Sequence, residues 1–511
     1  MLRMKKLFLS IFEILFIWTL ILLLGYTPFT EVFTGKDFPM LNIHFLLIGG
    51  ALLTVTAVVN NLAGDKAEAF LTKHEVKILG ISLPLLFLLE FYLCYGGFFH
   101  SGWDAGVVNE TAFREFAHLY DKIWIDYFSW YPNNLLIIWI FTGILNISSA
   151  LGIPHGEVSI LFFQCLIDAS SIYLVYAITK EITGSRRTAS FAYWTGWLFT
   201  GLSPWFIVAY SDATGIVLPL LIVRLYQKQE REEKTIKRII LWSSMGIISV
   251  ISYLIKPQLL IVTIAVVIVG ALKFIRNTKI SECAVKAVSA IGGSVVMILI
   301  YSLLIVPSLN MNLDPDKAMG FPHYIMMGLN DERDGVYHKQ DFDYSSSFAT
   351  PEERNEADMK EVQNRIKEYG VDGMVRHMNR KQMVNYGDGT FAWAVEGHSF
   401  DGDPKWAHNG ASEIVRSLIK PEGKNYNLFI STKQVLWISI LFLLLFVPIY
   451  KKKSGINEDQ LLVLVLAVIG LSVFELLFEA RARYLFCYAP VFVILAGVGA
   501  RNLFRLLRKR E

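Results

Sequence analysis

Long apolar runs constrain this chain more than any other feature. Segments at 7–25, 42–60, 77–97, 157–178, 189–209, 213–227, 239–255, 257–272, 286–307, 432–450, 461–478 and 484–500 are apolar almost throughout. Each approaches the ~20 residues a helix needs to cross the hydrocarbon core of a bilayer. With 54% hydrophobic residues and a mean hydropathy of +0.43, the chain is predicted to be an all-α polytopic membrane protein. The first run follows MLRMKK and has no small-residue cleavage site after it, so it reads as an uncleaved spanning helix.

One further apolar stretch, Leu135 to Leu151, decides the topology. Counted as a crossing, it would put the two basic ends, Arg3, Lys5 and Lys6 against the tail from Arg501, on opposite sides of the membrane. Left out, it lets the basic loops at 180–187, 227–238, 272–279 and 450–453 join both ends on the cytoplasmic side, as the positive-inside rule requires. The expectation is therefore twelve crossings, with 135–151 lying in or against the outer leaflet. The chain divides into a membrane part at 1–309 that includes an outer loop at 98–156, an extracytoplasmic domain at 310–431, and a last membrane part with a basic tail at 432–511. Within the domain, Thr350, Pro351 and Glu353 form a capping box that opens a helix with an apolar stripe of Met359, Val362, Ile366 and Tyr369, ended by Gly370. A second helix is predicted over Val371 to Tyr386.

Composition excludes some classes. A net charge of +3 gives no support to a nucleic-acid partner, and the four cysteines fit neither a zinc site nor a disulfide framework. No GxxxxGK[ST] loop is present, so ATP-driven transport is not indicated. Asp168, Glu13 and Glu90 fall inside apolar runs and read as scattered charges that either mark a transport path or pair between helices.

Chemistry-bearing residues gather at the predicted outer face. Asp104 stands in SGWDAG beside Trp103, Trp124, Tyr127, Phe128, Trp130 and Tyr131, and aromatic residues of this kind settle at the headgroup level. Asp212, in AYSDATG, is either a helix cap or the second carboxylate of a pair. Such a pair can take a proton from an acceptor hydroxyl or hold a divalent cation. Lys256, Arg481 and Arg483 read either as snorkelling cations or as ligands for a lipid-linked phosphate, with Glu479 orienting an arginine. His323 is a further candidate phosphate or sugar donor. Tyr324, Trp393, His398 and Trp406 are candidates for stacking on sugar, with Trp393 equally suited to a core.

In this order WDAG, YFSWYPNN, YSDATG, KPQ, PHYIMMGLN, GDGTFAW and EARARY resemble the membrane-embedded GT-C glycosyltransferases. Among these the chain is most similar to the glycosyltransferase family 39, or protein O-mannosyltransferase-like, proteins of Gram-positive bacteria. The resemblance covers roughly residues 97–490. It implies a GT-C-like fold with juxtamembrane helices on the outer face of the bacterial cytoplasmic membrane. It also implies transfer of a sugar from a polyprenyl-phosphate monosaccharide to a glycan, lipid or protein acceptor, with Asp104 as catalytic base. Asp212 would then assist, Lys256, Arg481, Arg483 and His323 would hold the phosphate, and Glu479, Tyr131, Asn133 and Tyr324 would position substrate. Two spans precede the one that feeds the Asp104 loop, where most relatives have one. The second acid stands as SDAT, without the acidic pair that implies metal dependence in relatives. A transporter or flippase of lipid-linked sugars, and a polysaccharide ligase or polymerase, are the competing classes.

Overall fold

The computed structural model describes residues 2–25, 38–118, 125–277, 280–397, 404–408, 412–449 and 455–508. The described residues form helices and turns, with no strand among them. Helix α1 is Leu2–Gly25, and α2 is Asn42–Gly97, broken at Gly64, whose φ of 50° leaves the helical region. Then come α3 (Trp103–Phe116), α4 (Ile125–Trp130), α5 (Leu135–Ala150), α6 (Gly156–Thr183) and α7 (Arg186–Phe199). Next are α8 (Ser211–Gly215), α9 (Leu218–Arg231), α10 (Thr235–Ile255), α11 (Ile261–Asn277) and α12 (Ile280–Ile300). Helices α13 (Phe321–Gly328), α14 (Lys339–Ser346), α15 (Pro351–Tyr386) and α16 (Ser412–Ile419) build the polar insert. The chain closes with α17 (Tyr426–Leu444), α18 (Glu458–Leu477) and α19 (Ala489–Arg508).

Among the described residues, eleven helices are long and apolar enough to cross a membrane, and Pro132–Ala150 is one of them. Contacts between helix ends show which of these run through the bundle. At one end Lys5 pairs with Asp459 and with Glu458 (3.4 Å), Lys273 with Asp459 (3.3 Å), and Arg187 with Asn60. At that same end the Asn457 amide donates to Ile182 O (2.8 Å) and Arg501 to Thr183 O (2.7 Å), which fixes the far end of α6. At the opposite end the Trp406 ring stacks on Phe98, just after α2, and on His155, just before α6. The segment between Phe98 and His155 therefore leaves and re-enters the same end of the bundle. Helix α5 makes no net crossing, although its length would allow one.

The fifth and sixth expected spans need correction. The apolar run at 189–209 is not one helix: α7 stops at Phe199 after 14 residues, and a short 3₁₀ turn follows at Pro204–Ile207. Pro204 lacks an amide hydrogen and turns its predecessor away from the helical region, so the ladder cannot continue. The run at 213–227 is likewise split into α8 and α9, with Pro219 in the first turn of α9. Replacing α5 by these two interrupted passages restores twelve traverses.

An interrupted helix leaves carbonyls without partners, and here lysines supply them. Lys433 of α17 donates to the carbonyls of Leu198 (3.1 Å), Phe199 (2.8 Å) and Leu202 (2.9 Å) at the end of α7. Lys381 of α15 does the same for Leu476 (2.8 Å) and Phe478 (2.6 Å) at the end of α18, and for Gly328 (2.7 Å) at the end of α13.

The polar insert leans on the membrane helices. Half of its capping box forms: Thr350 Oγ1 accepts from the Glu353 amide at 3.3 Å. Gly370 (φ 54°) bends α15 there, and the chain resumes as helix to Tyr386. Only half of the predicted stripe is covered: Val362 and Tyr369 pack with Met326 and Leu329, but Met359 and Ile366 are 38% and 47% exposed. Helix α13 has only eight residues, and it masks a correspondingly narrow strip. Beyond Gly370, α15 enters the bundle, where Tyr386 is fully buried against Phe16, Trp437 and Phe492 and meets Ser472 Oγ at 2.6 Å. The insert ends at 425, because α17 begins at Tyr426, earlier than the expected 431.

Helices α10 and α12 touch through glycines. A methyl group on Gly246 would run into the Ala290 carbonyl, and one on Gly293 into the Ser243 carbonyl, whereas Gly292 faces open space. Gly293→Leu should destabilise the detergent-solubilised protein by about 1–3 kcal/mol. Gly292→Leu should leave its melting curve unchanged, and equal losses in both variants would refute this packing.

Candidate active site

The site is built where helices end. Gly102 is extended, and Trp103 adopts a φ of 43°, left-handed backbone that a side chain accepts only under constraint. That turn starts α3 with Asp104 in its first turn, half-buried. Burial pushes the Asp104 carboxyl above the usual range; Arg483 and the Tyr127 phenol draw it back, and Glu479 and Glu396 push it further up.

Behind Asp104 lies a chain of ion pairs. Asp212 is 2% exposed, with the Lys256 ammonium against one carboxylate oxygen and Arg483 Nη1 3.6 Å from the other. Arg483 Nε lies 2.8 Å from Glu396, whose other oxygen is 2.9 Å from Arg481 Nη1. Arg481 Nε approaches Glu479 at 3.6 Å, and the Tyr484 hydroxyl donates to Glu479 at 2.9 Å. Aromatic faces complete the set: Arg483 sits 4.1 Å from the Trp103 ring centre, and Lys256 4.2 Å from that of Tyr484.

Local sequence explains each placement. Pro257 ends α10 and leaves Lys256 extended, so its side chain turns towards Asp212. Arg481 is also extended, ahead of the 3₁₀ segment Ala482–Tyr488. Glu396 is delivered by GDGTFAW. The Asp388 carboxylate accepts from the amides of Thr390 (2.7 Å) and Ala392 (2.8 Å) and holds Phe391 and Ala392 at φ of 58° and 62°. Trp103 Nε1 then donates to the Glu396 carbonyl at 2.8 Å, which locks the two strained turns together.

A second set of polar groups reaches Asp104 from YFSWYPNN. Asn134 donates to the Tyr127 hydroxyl (3.0 Å) and accepts from Tyr210 (3.4 Å). Tyr131 and Tyr324 are half-buried and within electrostatic reach of Asp104. Burial pushes both phenols up, so they stay neutral donors at physiological pH.

Of the sequence-derived candidates, Asp104, Asp212, Lys256, Arg481, Arg483, Glu479, Tyr131 and Tyr324 thus come together. Asp212 caps no helix: it lies in the first turn of α8, whose N-cap is Tyr210. His323 stands apart, buried against Ser345 Oγ (2.7 Å), and desolvation brings it down to about 4, so it carries no charge for a phosphate. Asn133 is replaced by its neighbour: successive residues of a 3₁₀ turn point about 120° apart, and Asn134 is the one directed at the phenols. Trp393 is core, 1% exposed and bonded to Ile419 O (2.7 Å), and Trp406 is occupied by Phe98 and His155. Trp124 and His398 lie outside the described residues.

Glu396 was missed by sequence reasoning, and it changes the balance. The site holds four acids, Asp104, Asp212, Glu396 and Glu479, against three cations. The place beside Asp212 that a divalent cation would take is filled by Lys256 and Arg483. Among the described residues no group of three or more His, Cys, Asp or Glu side chains is arranged to hold a metal ion. Glu90 and Asp168 are not scattered. Both are fully buried and interact electrostatically with Lys433, while Glu13 is half-buried on α1.

No curated protein matches the chain. A family model described as "Conserved hypothetical integral membrane protein" matches residues 1–503, and the chain belongs to that family of integral membrane proteins.

Proposed function

We propose that this protein is a glycosyltransferase of the GT-C type, acting at the end of the bundle that carries Asp104, and that this end faces outward from a bacterial cytoplasmic membrane. The observation that carries the reading is the half-buried carboxylate of Asp104 beside a fixed array of cations. Both are needed to exchange an acceptor hydroxyl for a phosphate at one carbon. Basic loops at the opposite end of the bundle support the orientation.

In this mechanism Asp104 takes the proton of an acceptor hydroxyl. The hydroxyl oxygen attacks the anomeric carbon of a polyprenyl-phosphate sugar, and the carbon–oxygen bond to phosphate breaks as the electron pair leaves with polyprenyl phosphate. A single displacement of this kind inverts the anomeric centre. Arg481 is itself shared between Glu396 and Glu479, but at 21% exposed by side chain it is the most open of the three cations and the one placed to meet the incoming phosphate. Lys256 and Arg483 are committed to Asp212 and Glu396, which offset their charge, so they brace the floor behind the site, and Asp212 is a positioning residue. Tyr131 and Tyr324 offer neutral donors to sugar hydroxyls. The resemblance of WDAG, YFSWYPNN and EARARY to family 39 transferases agrees with these roles. Acceptors of three kinds, glycan, lipid or protein, fit a base that needs only a hydroxyl.

A second reading, a transporter of lipid-linked sugars, is favoured by one observation: the buried Glu90, Asp168 and Lys433 among the membrane helices. Bond cleavage separates the two readings.

Purified protein supplied with a polyprenyl-phosphate hexose and acceptor should release polyprenyl phosphate, and Asp104→Asn should slow that release about 10²–10⁴-fold. Movement of the intact lipid-linked sugar without release would instead establish the transporter. The pH profile gives an independent check. Asp104 acts as a base only when ionised, so the rate rises with pH through its pKa, and the Tyr127 phenol holds that pKa down. Tyr127→Phe should therefore move the acid limb of the rate profile to higher pH. An unmoved limb, or one displaced downward, would show that Asp104 is not the titrating base.

A further inference from the structure

The end of the bundle opposite Asp104 holds a cavity of about 650 Å³ between α2, α7, α17 and α19. Four arginines line it: Arg187, Arg501, Arg505 and Arg508. Its described lining contains no carboxylate. Two described acids nearby, Glu68 and Glu75, lie outside the cavity lining and have partners of their own. Glu68 accepts from the backbone amides of Arg186 (2.9 Å) and Arg187 (3.1 Å), and Glu75 pairs with Lys180 and Arg186. Arg187 is held by Asn60 (3.0 Å to Oδ1), and Arg501 donates to the Thr183 carbonyl (2.7 Å).

The cavity does not stop at the arginines. Its wall continues along α7 through Phe191, Trp194 and Leu198, the last two 43% and 50% exposed. From Arg187 to Leu198 the helix rises about 16 Å, roughly half of the ~30 Å hydrocarbon core. A free phosphate has no use for such a wall, but one leaflet's acyl chain has that reach.

We propose that this cavity binds an anionic phospholipid, with its phosphate between Arg505 and Arg508 and an acyl chain laid along Trp194 and Leu198. The site is separate from the Asp104 cluster and independent of the reaction proposed there. Charge complementarity selects the head group, and the apolar wall selects a lipid over a soluble anion. Arg505 and Arg508 are exposed, so exchanging them leaves the packed core intact.

The full chain reconstituted in nanodiscs of equal phosphatidylglycerol and phosphatidylcholine, then released into mild detergent, should retain phosphatidylglycerol preferentially by native mass spectrometry. The double variant Arg505→Gln, Arg508→Gln should retain about tenfold less with an unchanged melting curve, while Arg505→Lys, Arg508→Lys keeps it. Trp194→Ser should also lower retention, which a purely ionic site would not. Equal retention of the two lipids by the natural chain, equal phosphatidylglycerol retention by the glutamine pair, or displacement of the lipid by excess inorganic phosphate would each overturn the proposal.

Discussion

Arg483, nearly out of reach of solvent, is the contact on which the site depends. It joins Asp212 from the α8 turn to Glu396 from the polar insert, and through Glu396 it reaches Arg481. Charges this deep cost several kcal/mol each to desolvate, and only close pairing returns that cost. Removing one member leaves another charge buried and unmatched, a loss of roughly 3–5 kcal/mol. The lattice therefore ties segments far apart in sequence, 212, 256, 396 and 481–483, into one rigid floor. Asp104 stands beside that floor, which shifts its charge in concert with burial and the Tyr127 phenol.

The same physics governs the helices that carry the floor. Breaking a membrane helix exposes carbonyls that lipid cannot satisfy. Here two of the helix ends are met by a lysine from another element, Lys433 with three carbonyls after α7 and Lys381 with two at the end of α18. A helix that stops early delivers its next residues sideways. The irregular stretch after α7 brings Tyr210 and Asp212 into the site, and the one after α18 brings Glu479, Arg481 and Arg483. Interruption is thus how a bundle of helices gains a polar surface for chemistry.

How much of this the sequence disclosed depends on the kind of signal. Runs such as 157–178 were legible because length and apolarity alone demand a helix. The behaviour of α5 was legible from charge, since Lys5, Arg187 and Arg501 cannot share one side if it crosses. The break at Pro204 was marked by Ser203-Pro204, but a run of apolar residues on both sides outweighed it. Asp104, Asp212, Lys256 and Arg481 stood out because charge beside a membrane span is conspicuous. Glu396 did not, because it lies in a polar insert among many other acids, and only the left-handed turn clamped by Asp388 carries it to Arg483. The gathering of Glu90 and Asp168 near Lys433 was equally hidden, being a matter of helix rotation that no spacing within one helix records.

In the reaction we propose, the Asp104 cluster receives a lipid-linked phosphate and presents the attached sugar to the carboxylate. The most direct measurement is an experimental structure of the protein with a non-cleavable polyprenyl-phosphonate sugar. The phosphonate is expected within ion-pair distance of Arg481, its sugar between Tyr131 and Tyr324, and the anomeric carbon turned towards Asp104. A ligand bound with its head group elsewhere in the bundle, and Asp104 facing only protein or solvent, would contradict it.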